Sequence, residues 1–285
     1  MSTIKKTSAI FQLIRFPNLV MIVVSQYISA VYLVFKGDYW GDTLLRKDLF
    51  IVVLATVLIA AGGNIINDYF DVKIDGINKP QKLIIDHTIT RRKALLWHIL
   101  LSVAGIGLGK LLGTRIFILY LSTGILLWLY SYRYKRKVII GNLLIALLTA
   151  TSVYLPALLR HEANHLLLFF AVVAFFISLI REIIKDIEDM NGDGQFDCKT
   201  LPLVFGLKKT KQVLVGIIMG FMAILITMSL FFNSLSLTIL ISFTILALLG
   251  LMIKLLPADT KKEFAILSRY CKWLMLAGVL SMMIL

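Results

Sequence analysis

The sequence predicts an all-α protein that crosses a membrane nine times. Of its 285 residues, 59% are hydrophobic and only 16% are charged, and the mean hydropathy is +0.88. This composition excludes a single water-soluble globule. Nine apolar runs each approach the roughly 20 residues that a transmembrane helix needs. The basic residues are also distributed unevenly between the two sides of these runs, as a polytopic membrane protein requires.

Each apolar run begins and ends at charged or turn-forming residues, which sets the predicted limits. The first run follows Lys5, Lys6 and Arg15 and has no small-residue cleavage site, so we expect a retained span and no cleaved targeting segment. The second and sixth runs end in acidic segments, and the fourth ends in a basic one. The predicted spans are 10–35, 49–70, 94–112, 116–132, 138–158, 166–184, 213–232, 235–256 and 264–285.

The basic residues predict the orientation of the chain. Lysine and arginine number 30 against 16 acidic residues, a formal net charge of +14. If the N-terminus is cytoplasmic, 22 basic residues fall on the cytoplasmic side, six on the other side and two in the last span. This asymmetry predicts a multi-pass cell-membrane protein with a cytoplasmic N-terminus and an external C-terminus. Topology therefore accounts for the charge, and nucleic acid is not an expected partner.

Two acidic segments on the predicted cytoplasmic side contain most of the informative chemistry. Each has aspartates at i, i+3 and i+7, which on a helix places three carboxylates within an arc of about 60°. We call them the first stripe (Asp68, Asp71 and Asp75) and the second stripe (Asp186, Asp189 and Asp193). Such carboxylates are costly to ionise near a membrane. All-oxygen ligands suit Mg²⁺ bound together with a phosphate, so the stripes predict a metal–phosphate site.

The matching stripes also indicate an internal repeat. Each ends the second helix of a four-helix block, which predicts two parallel repeats, about 10–135 and 136–256, and a final helix at 264–285. Parallel repeats would bring both stripes to one cavity. Two facing stripes can bind several Mg²⁺ ions around one diphosphate and draw charge onto the leaving oxygens as a carbon–oxygen bond breaks.

Other interpretations of the acidic segments remain open at this point. A charge run after a transmembrane helix is often only a solvated loop. The segment 189–200 matches the start of a calcium loop, but Thr200 replaces the glutamate expected at position 12. A divalent-cation transporter is a further alternative, because intramembrane acids often line ion paths. Transporter sites usually lie near the bilayer midplane, whereas these stripes lie at helix ends. Cys198 and Cys271 have no metal-ligand spacing.

At these residues the sequence resembles the UbiA superfamily of intramembrane prenyltransferases. Residues 67–75 (NDYFDVKID) resemble its first signature, NDxxDxxxD, and residues 186–193 (DIEDMNGD) resemble its second. The resemblance covers nearly the whole chain and implies one intramembrane prenyltransferase domain over 1–285. Within the superfamily, residues 181–193 with the following Lys199, Pro202 and Gly206 are most similar to the ether-lipid branch.

The resemblance implies a Mg²⁺-dependent transfer of a geranylgeranyl or similar polyprenyl group from its diphosphate to a lipid-soluble acceptor. In the ether-lipid branch the acceptor is the hydroxyl of geranylgeranylglyceryl phosphate. An aromatic ring of quinone or tocopherol-type biosynthesis is the alternative acceptor. The expected partners are thus a prenyl diphosphate donor, one of these acceptors and the membrane lipids.

The resemblance also implies roles for individual residues. The expected Mg²⁺–diphosphate ligands are Asn67, Asp68, Asp71, Asp75, Asp186, Asp189 and Asp193. The expected catalytic residues are Asp71, Asp189 and Lys185, and the expected substrate contacts are Arg15, Asn18, Asn67, Lys82, Lys135 and Arg181. Lys82 stands where the family commonly has arginine, so a point charge replaces a bidentate fork. Arg181 and Lys185 flank the second stripe, where ion pairs with its aspartates are the alternative role.

Overall fold

The computed structural model describes residues 3–160, 164–196 and 198–285, and in these residues the protein is almost entirely helical. Nine of the described helices are long and apolar enough to cross a membrane, which confirms the predicted fold class of a multi-pass membrane protein. The helices are α1 (Thr3–Leu13), α2 (Phe16–Ser29), α3 (Trp40–Leu44), α4 (Lys47–Asn78), α5 (Arg91–Leu111), α6 (Thr114–Tyr132), α7 (Ile140–Tyr154), α8 (His165–Glu188), α9 (Met190–Asp193), α10 (Leu201–Phe232), α11 (Leu235–Leu255) and α12 (Lys261–Ser281).

Three spans continue beyond their α-helix in a different helical geometry. A π-helical turn extends α2, and 3₁₀ turns extend α7 and α12; these turns are Ala30–Val34, Leu155–Leu159 and Met282–Ile284. The nine spans are therefore α2, α4, α5, α6, α7, α8, α10, α11 and α12, and α1, α3 and α9 are short helices in the connections.

Local sequence explains where several helices begin. Arg15 has a φ of 54° and separates α1 from α2, and Pro17 follows in the first turn of α2, where its missing N–H costs no hydrogen bond. The side chain of Asn164 accepts a hydrogen bond in the first turn of α8. Thr260 and Glu263 form a reciprocal capping box at the start of α12. These residues satisfy or avoid the unpaired N–H groups of a helix end.

Two helices extend well beyond the predicted spans. The sequence predicts a second span that ends near residue 70, but α4 continues to Asn78, so the whole first stripe is helical. The seventh span begins at Leu201 rather than near residue 213, with an interruption at Gly206, whose φ is 79°. Hydropathy marks only the apolar middle of a helix. The charged residues at both of these ends hide the additional helical turns from that signal.

The two stripe-bearing helices lie at the centre of the bundle. In their most apolar stretches, 61% of α4 and 67% of α8 is buried, against 39% or less in the other seven spans. α4 packs mainly against α5 and α6, whereas α8 packs mainly against α7 and α12. The neighbours of the two central helices therefore differ, and the division into two parallel repeats stays a prediction. The central position of both helices places their C-terminal ends close to each other.

Small residues allow α4 and α5 to approach closely. A Cβ atom at Gly105 would lie 2.8 Å from the backbone oxygen of Ala55 and 2.7 Å from Cγ1 of Ile59. The buried ring of His98 bonds across the same interface, with Nδ1 2.9 Å from the backbone oxygen of Gly62. Membrane helices associate through such close contacts, because lipid chains are as apolar as the helix surfaces themselves.

We predict that Gly105→Ala destabilises the protein, whereas Gly107→Ala on the same helix does not. Both changes add one methyl group to a helical glycine, but a Cβ at Gly107 meets nothing within 4 Å. The clash at Gly105 with backbone is expected to cost about 1–3 kcal/mol, whereas alanine at Gly107 gains helix propensity. Thermal unfolding in detergent micelles measures both. Equal melting temperatures for the two variants would contradict the close α4–α5 packing.

Candidate functional site

The C-terminal ends of α4 and α8 meet at one end of the bundle. Asn78, the last residue of α4, donates from Nδ2 to the backbone oxygen of Asp189 and accepts at Oδ1 from the N–H of Gly192, both at 2.9 Å. Lys79 forms an ion pair with Asp189 (Nζ–Oδ2, 2.8 Å). A Cβ at Gly192 would lie 2.4 Å from Nδ2 of Asn78, so the glycine makes this approach possible. The two stripes therefore lie at the same site.

The first stripe is neutralised by cations from two other elements. Asp68 forms an ion pair with Arg15, at the start of α2 (Nη2–Oδ1, 2.8 Å). Asp71 is buried and forms an ion pair with Lys135, in the 3₁₀ turn that follows α6. Asp75, one helical turn further along, is partly buried. Two of the predicted substrate contacts, Arg15 and Lys135, are thus in direct contact with the stripe.

The remaining predicted residues near the first stripe have different surroundings. Asn67 is buried beside the stripe. Asn18 lies one turn into α2, is partly buried, and donates its backbone N–H to the carbonyl of Arg15 at 2.8 Å. The side chain of Lys82 lies outside the described part of the protein. Asn64 donates from Nδ2 to the backbone oxygen of Ile14 at 2.9 Å, which connects α4 to the segment that carries Arg15.

The second stripe does not lie on one continuous helix, so this part of the sequence prediction is wrong. α8 ends at Glu188, Asp189 has φ −96° and ψ 3°, and Asp193 lies on the short helix α9. Gly192 and Gly194 lower the helix propensity here, and Asn78 bonds the backbone that would otherwise continue the helix. The helical turn of α9 also argues against a calcium loop at these residues. Asp193 nevertheless remains buried at the site.

The carboxylates of the second stripe are held by polar groups from α7 and from the end of α4. Asp186 accepts a hydrogen bond from Nδ2 of Asn142 on α7 at 2.8 Å. Asp189 is held at Oδ2 by Lys79, but its buried Oδ1 has no hydrogen-bond partner among the residues that the structure describes. A buried carboxylate oxygen without a partner is costly. It is therefore available to a cation that enters the site.

Electrostatic coupling shows that the two stripes share one environment. The pKa of Asp193 is raised to about 6, chiefly because burial disfavours the charged carboxylate. The carboxylates of Asp189 and Asp71 raise this pKa further, whereas Lys135 and Lys79 lower it. Asp193 thus responds to Asp71 on α4 and to Asp189, which follows α8. The site concentrates negative charge that Arg15, Lys79 and Lys135 only partly balance.

Lys135 lies at the centre of this charge distribution. Burial lowers the pKa of its ammonium group, but the attraction of Asp71, Tyr130 and Asp75 outweighs burial and raises the pKa overall. The same balance raises the pKa of Arg15, where burial is opposed by Asp68, Tyr130 and Asp71. Both groups remain cations at neutral pH. The hydroxyl of Tyr130 lies close enough to interact with both of them, a role that the sequence analysis did not assign.

Arg181 and Lys185 contact a residue that the sequence analysis missed. Glu182 is buried and forms ion pairs with both of them, at 2.6 Å to Nη1 of Arg181 and 3.2 Å to Nζ of Lys185. The described part of the chain contains no ion pair between these two cations and the second stripe. The sequence did contain a signal for Glu182, because an acidic residue between two basic residues at the end of an apolar span indicates a functional polar group. Asn78, Lys79 and Asn142 gave no comparable signal, because their partners are distant in sequence.

The donor set fits a hard divalent cation. No group of three Asp, Glu, His or Cys side chains in the described ranges is close enough to hold a metal ion. Two lysines, one arginine and one asparagine bond four of the stripe carboxylates instead. All seven predicted ligands nevertheless present oxygen donors, which suit Mg²⁺. The unpartnered Oδ1 of Asp189 and the partly exposed Asp75 are available to such an ion. Displacing Lys135 or Lys79 from its carboxylate would complete the donor set.

Comparison with known proteins identifies relatives along most of the chain. The model of the UbiA prenyltransferase family matches residues 23–276. A digeranylgeranylglyceryl phosphate synthase from Saccharolobus solfataricus is 37% identical over 204 residues, which cover 71% of this chain and 70% of that protein. One from Thermococcus gammatolerans is 37% identical over 173 residues, which cover 61% of this chain and 62% of that protein. The matched segments thus span about two thirds of these relatives.

Solved structures show the same fold. A structure of a digeranylgeranylglyceryl phosphate synthase is 25% identical and superimposes with a TM-score of 0.72 over 98% of both chains. A UbiA homologue from Archaeoglobus fulgidus, bound to GPP and Mg²⁺, is 14% identical and has a TM-score of 0.72, with 97% of this chain and all of that chain covered. At that identity the second similarity concerns the fold alone.

We predict that Asn78→Ala weakens the junction between α4 and α9. The change removes two hydrogen bonds with backbone groups, an expected cost of about 1–3 kcal/mol. Asn78→Asp keeps the acceptor for Gly192 but loses the donor and adds charge beside Asp189, so it is expected to be at least as destabilising. Asn191→Ala, on exposed α9 surface, is the control. Melting temperatures in detergent and amide exchange over 189–196 measure the effect. If Asn78→Ala behaves like Asn191→Ala, the junction has no stabilising role.

Proposed function

The chain belongs to the UbiA prenyltransferase family, and we propose that it transfers a geranylgeranyl group from geranylgeranyl diphosphate to the hydroxyl of geranylgeranylglyceryl phosphate. One observation carries this proposal: two aspartate stripes and two lysines converge at one end of an otherwise apolar helical bundle. Such a site suits a diphosphate with a long hydrocarbon tail. The names of the relatives in Saccharolobus solfataricus and Thermococcus gammatolerans support this choice of acceptor.

We assign the diphosphate site to the space between the two stripes. Its metal ligands are Asn67, Asp68, Asp71, Asp75, Asp186, Asp189 and Asp193. When bound there, Mg²⁺ supplies positive charge to the diphosphate oxygens and makes the group a better leaving group. Asp71 and Asp189 have the central places in this assignment, because each lies in the middle of its stripe and each is bonded to a lysine of the site.

Lys135 and Lys79 are the cations best placed to bind the leaving group. In this structure each forms an ion pair with a stripe aspartate, at the position where the diphosphate would lie. Ammonium groups donate strong, charge-assisted hydrogen bonds to phosphate oxygens. Negative charge on the diphosphate grows as the carbon–oxygen bond breaks, so a lysine held in place contributes most in the transition state. Lys185, the catalytic lysine expected from the sequence, is instead paired with Glu182.

The apolar interior next to the stripes protects the reacting carbon from water. Ile66 on α4 and Ile183 and Ile184 on α8 are completely buried directly beside the charged groups. Breaking the bond to the diphosphate generates an allylic cation, which water would otherwise capture. We place the prenyl tail along this apolar side of the site. The fold therefore separates a charged end, where the headgroup binds, from an apolar interior, where the cation forms.

Two other functions are less well supported. An aromatic acceptor would use the same diphosphate site, but no relative reported above has a name that indicates it. A divalent-cation transporter would need the acids near the middle of the membrane, whereas both stripes lie at the ends of α4 and α8. The location favours an enzyme that releases a soluble diphosphate at one side of the membrane.

We predict that Asp71→Asn and Asp189→Asn each reduce prenyl transfer about 100-fold or more, as expected when one charge-stabilising group of an active site is lost. Asp86→Asn is the matched control, since Asp86 is exposed and pairs only with Arg91 at the surface. The assay supplies labelled geranylgeranyl diphosphate, geranylgeranylglyceryl phosphate and Mg²⁺, and the product is identified by mass. Chelation of the metal should stop the reaction, and added Mg²⁺ should restore it. Full turnover in both stripe variants would refute their assigned roles.

We also propose that the site faces the cytoplasm, as the distribution of basic residues indicates. In intact cells, a membrane-impermeant maleimide should label Lys110→Cys, in the last turn of α5, but not Lys262→Cys, at the start of α12. Both lysines are exposed and lie at opposite ends of the bundle, and Cys198 and Cys271 are buried. After the cells are permeabilised, the maleimide should label both cysteine variants. The reverse pattern in intact cells would overturn the orientation.

A further inference from the structure

The polar face of α8 divides into two parts with opposite charge. With Arg181 taken as the origin, helical geometry places Lys185 at about 40°, Glu182 at about 100° and Asp186 at about 140°. Asp186 faces α7, where Asn142 bonds it. The basic side lies about 100° or more around α8 from Asp186, and apart from α7 the helix that packs most extensively on α8 is α12. In keeping with that placement, Arg181 interacts electrostatically with Cys271 on α12, and Lys185 interacts with Arg15 at the start of α2. The proposed function places the acidic part in the diphosphate site, but it gives the basic part no role.

Arg181 and Lys185 carry two positive charges but have one carboxylate within ion-pair distance among the residues that the structure describes. Both share the single carboxylate of Glu182. Nε of Arg181 is buried and has no hydrogen-bond partner among the residues described. An unpaired donor in an apolar interior is unfavourable. The geometry therefore leaves a donor and one net positive charge available for an anion.

Lys272 adds a third cation to this cluster. It lies about 16 Å along α12 from Lys261, well inside a membrane span. It interacts electrostatically with Arg181, Lys185 and Glu182, and the preceding residue, Cys271, is completely buried. α12 packs against both α8 and α2, and Lys272 follows the buried Ser268 by one helical turn, so it lies at the edge of the face that α12 packs against these helices. The side chain of Lys272 is exposed. No carboxylate in the described ranges lies within ion-pair distance of its ammonium group.

Charged residues inside a membrane span normally face a polar path and have a counter-ion. An anion with about two negative charges would balance three cations around one glutamate. A phosphate monoester has this charge at neutral pH and presents three acceptor oxygens. The diphosphate is already accommodated by Lys135, Lys79 and the two stripes. The anion of the basic cluster is thus a second group.

We propose that Lys272, together with Arg181 and Lys185, binds the phosphate of the lipid acceptor. This inference rests on the proposed function, because only a phosphorylated acceptor would use the cluster. A glycerol with one ether and one phosphate has its free hydroxyl within two or three carbons of the phosphate. The basic and acidic parts occupy one face of α8, so phosphate at the cluster places the hydroxyl beside the diphosphate site. Lys272 would thereby select phosphorylated glyceryl lipids over aromatic acceptors.

The test is Lys272→Met in the full-length protein, compared with Lys262→Met on the same helix. Lys262 is exposed, and no ion pair is described for it. We expect Lys272→Met to raise the KM for geranylgeranylglyceryl phosphate about tenfold or more, as loss of one charge-assisted hydrogen bond does. The KM for geranylgeranyl diphosphate should stay within twofold of wild type, as should both KM values of Lys262→Met. Lys272→Arg should restore most of the acceptor affinity.

Two further measurements identify the ligand of the basic cluster. Geranylgeranylglycerol, which lacks the phosphate, should be a poor acceptor for which wild type and Lys272→Met do not differ. Inorganic phosphate should compete with the phosphorylated acceptor in wild type and less in Lys272→Met. If competition is equal in the two proteins, the cluster does not bind phosphate.

The outcomes separate this inference from the proposed function. If wild type transfers only to aromatic acceptors, the proposed acceptor is wrong and the inference fails with it. If wild type uses the lipid phosphate and Lys272→Met has an unchanged acceptor KM, the inference alone is overturned. If Lys272→Met does not fold, as gel filtration in detergent would show, then Lys272→Gln takes its place, and an unchanged acceptor KM in that variant overturns the inference equally.

Discussion

The rest of this structure depends on the cost of ionised groups at the edge of an apolar bundle. The protein brings two sets of aspartates together at the ends of its two most buried helices, where like charges repel and water is partly excluded. Each set is stable only because groups from other elements approach it. Asp71 has Lys135, Asp189 has Lys79, and Asp186 has Asn142. The charge that makes the site suited to a metal and a diphosphate is thus the charge that ties its elements together.

The same contacts differ in how readily a ligand can replace them. Asn78 joins α4 to α9 through backbone groups, which do not change with protonation or ligand. Lys135 and Lys79 are held by single side chains, so an incoming ion or phosphate can replace their partners. Backbone contacts therefore fix the spacing of the stripes, while the lysines exchange between carboxylate and phosphate. An active site that binds and releases a highly charged headgroup requires this division.

Separate positions for two anions give the proposed reaction a simple geometry. Stripes and lysines surround one end of the site, and the basic cluster of Arg181, Lys185 and Lys272 lies towards α12 and α2. Both surround the same face of α8. A donor and an acceptor that each carry phosphate would repel each other in a single pocket. Separate counter-charges allow the hydroxyl to approach the allylic carbon without bringing the two anions together.

The sequence alone determined the number of spans and their apolar middles, the positions of both stripes and the oxygen character of the site, because hydropathy and helical spacing are local properties. It did not determine the break of α8 at Asp189, which depends on Asn78. The partnership of Glu182 with Arg181 and Lys185 was also decided by the tertiary structure. The physical reason is that lipid-facing and protein-facing surfaces of a membrane helix are both apolar. Sequence therefore gives little information on how each helix is rotated, and rotation decides which distant side chains meet.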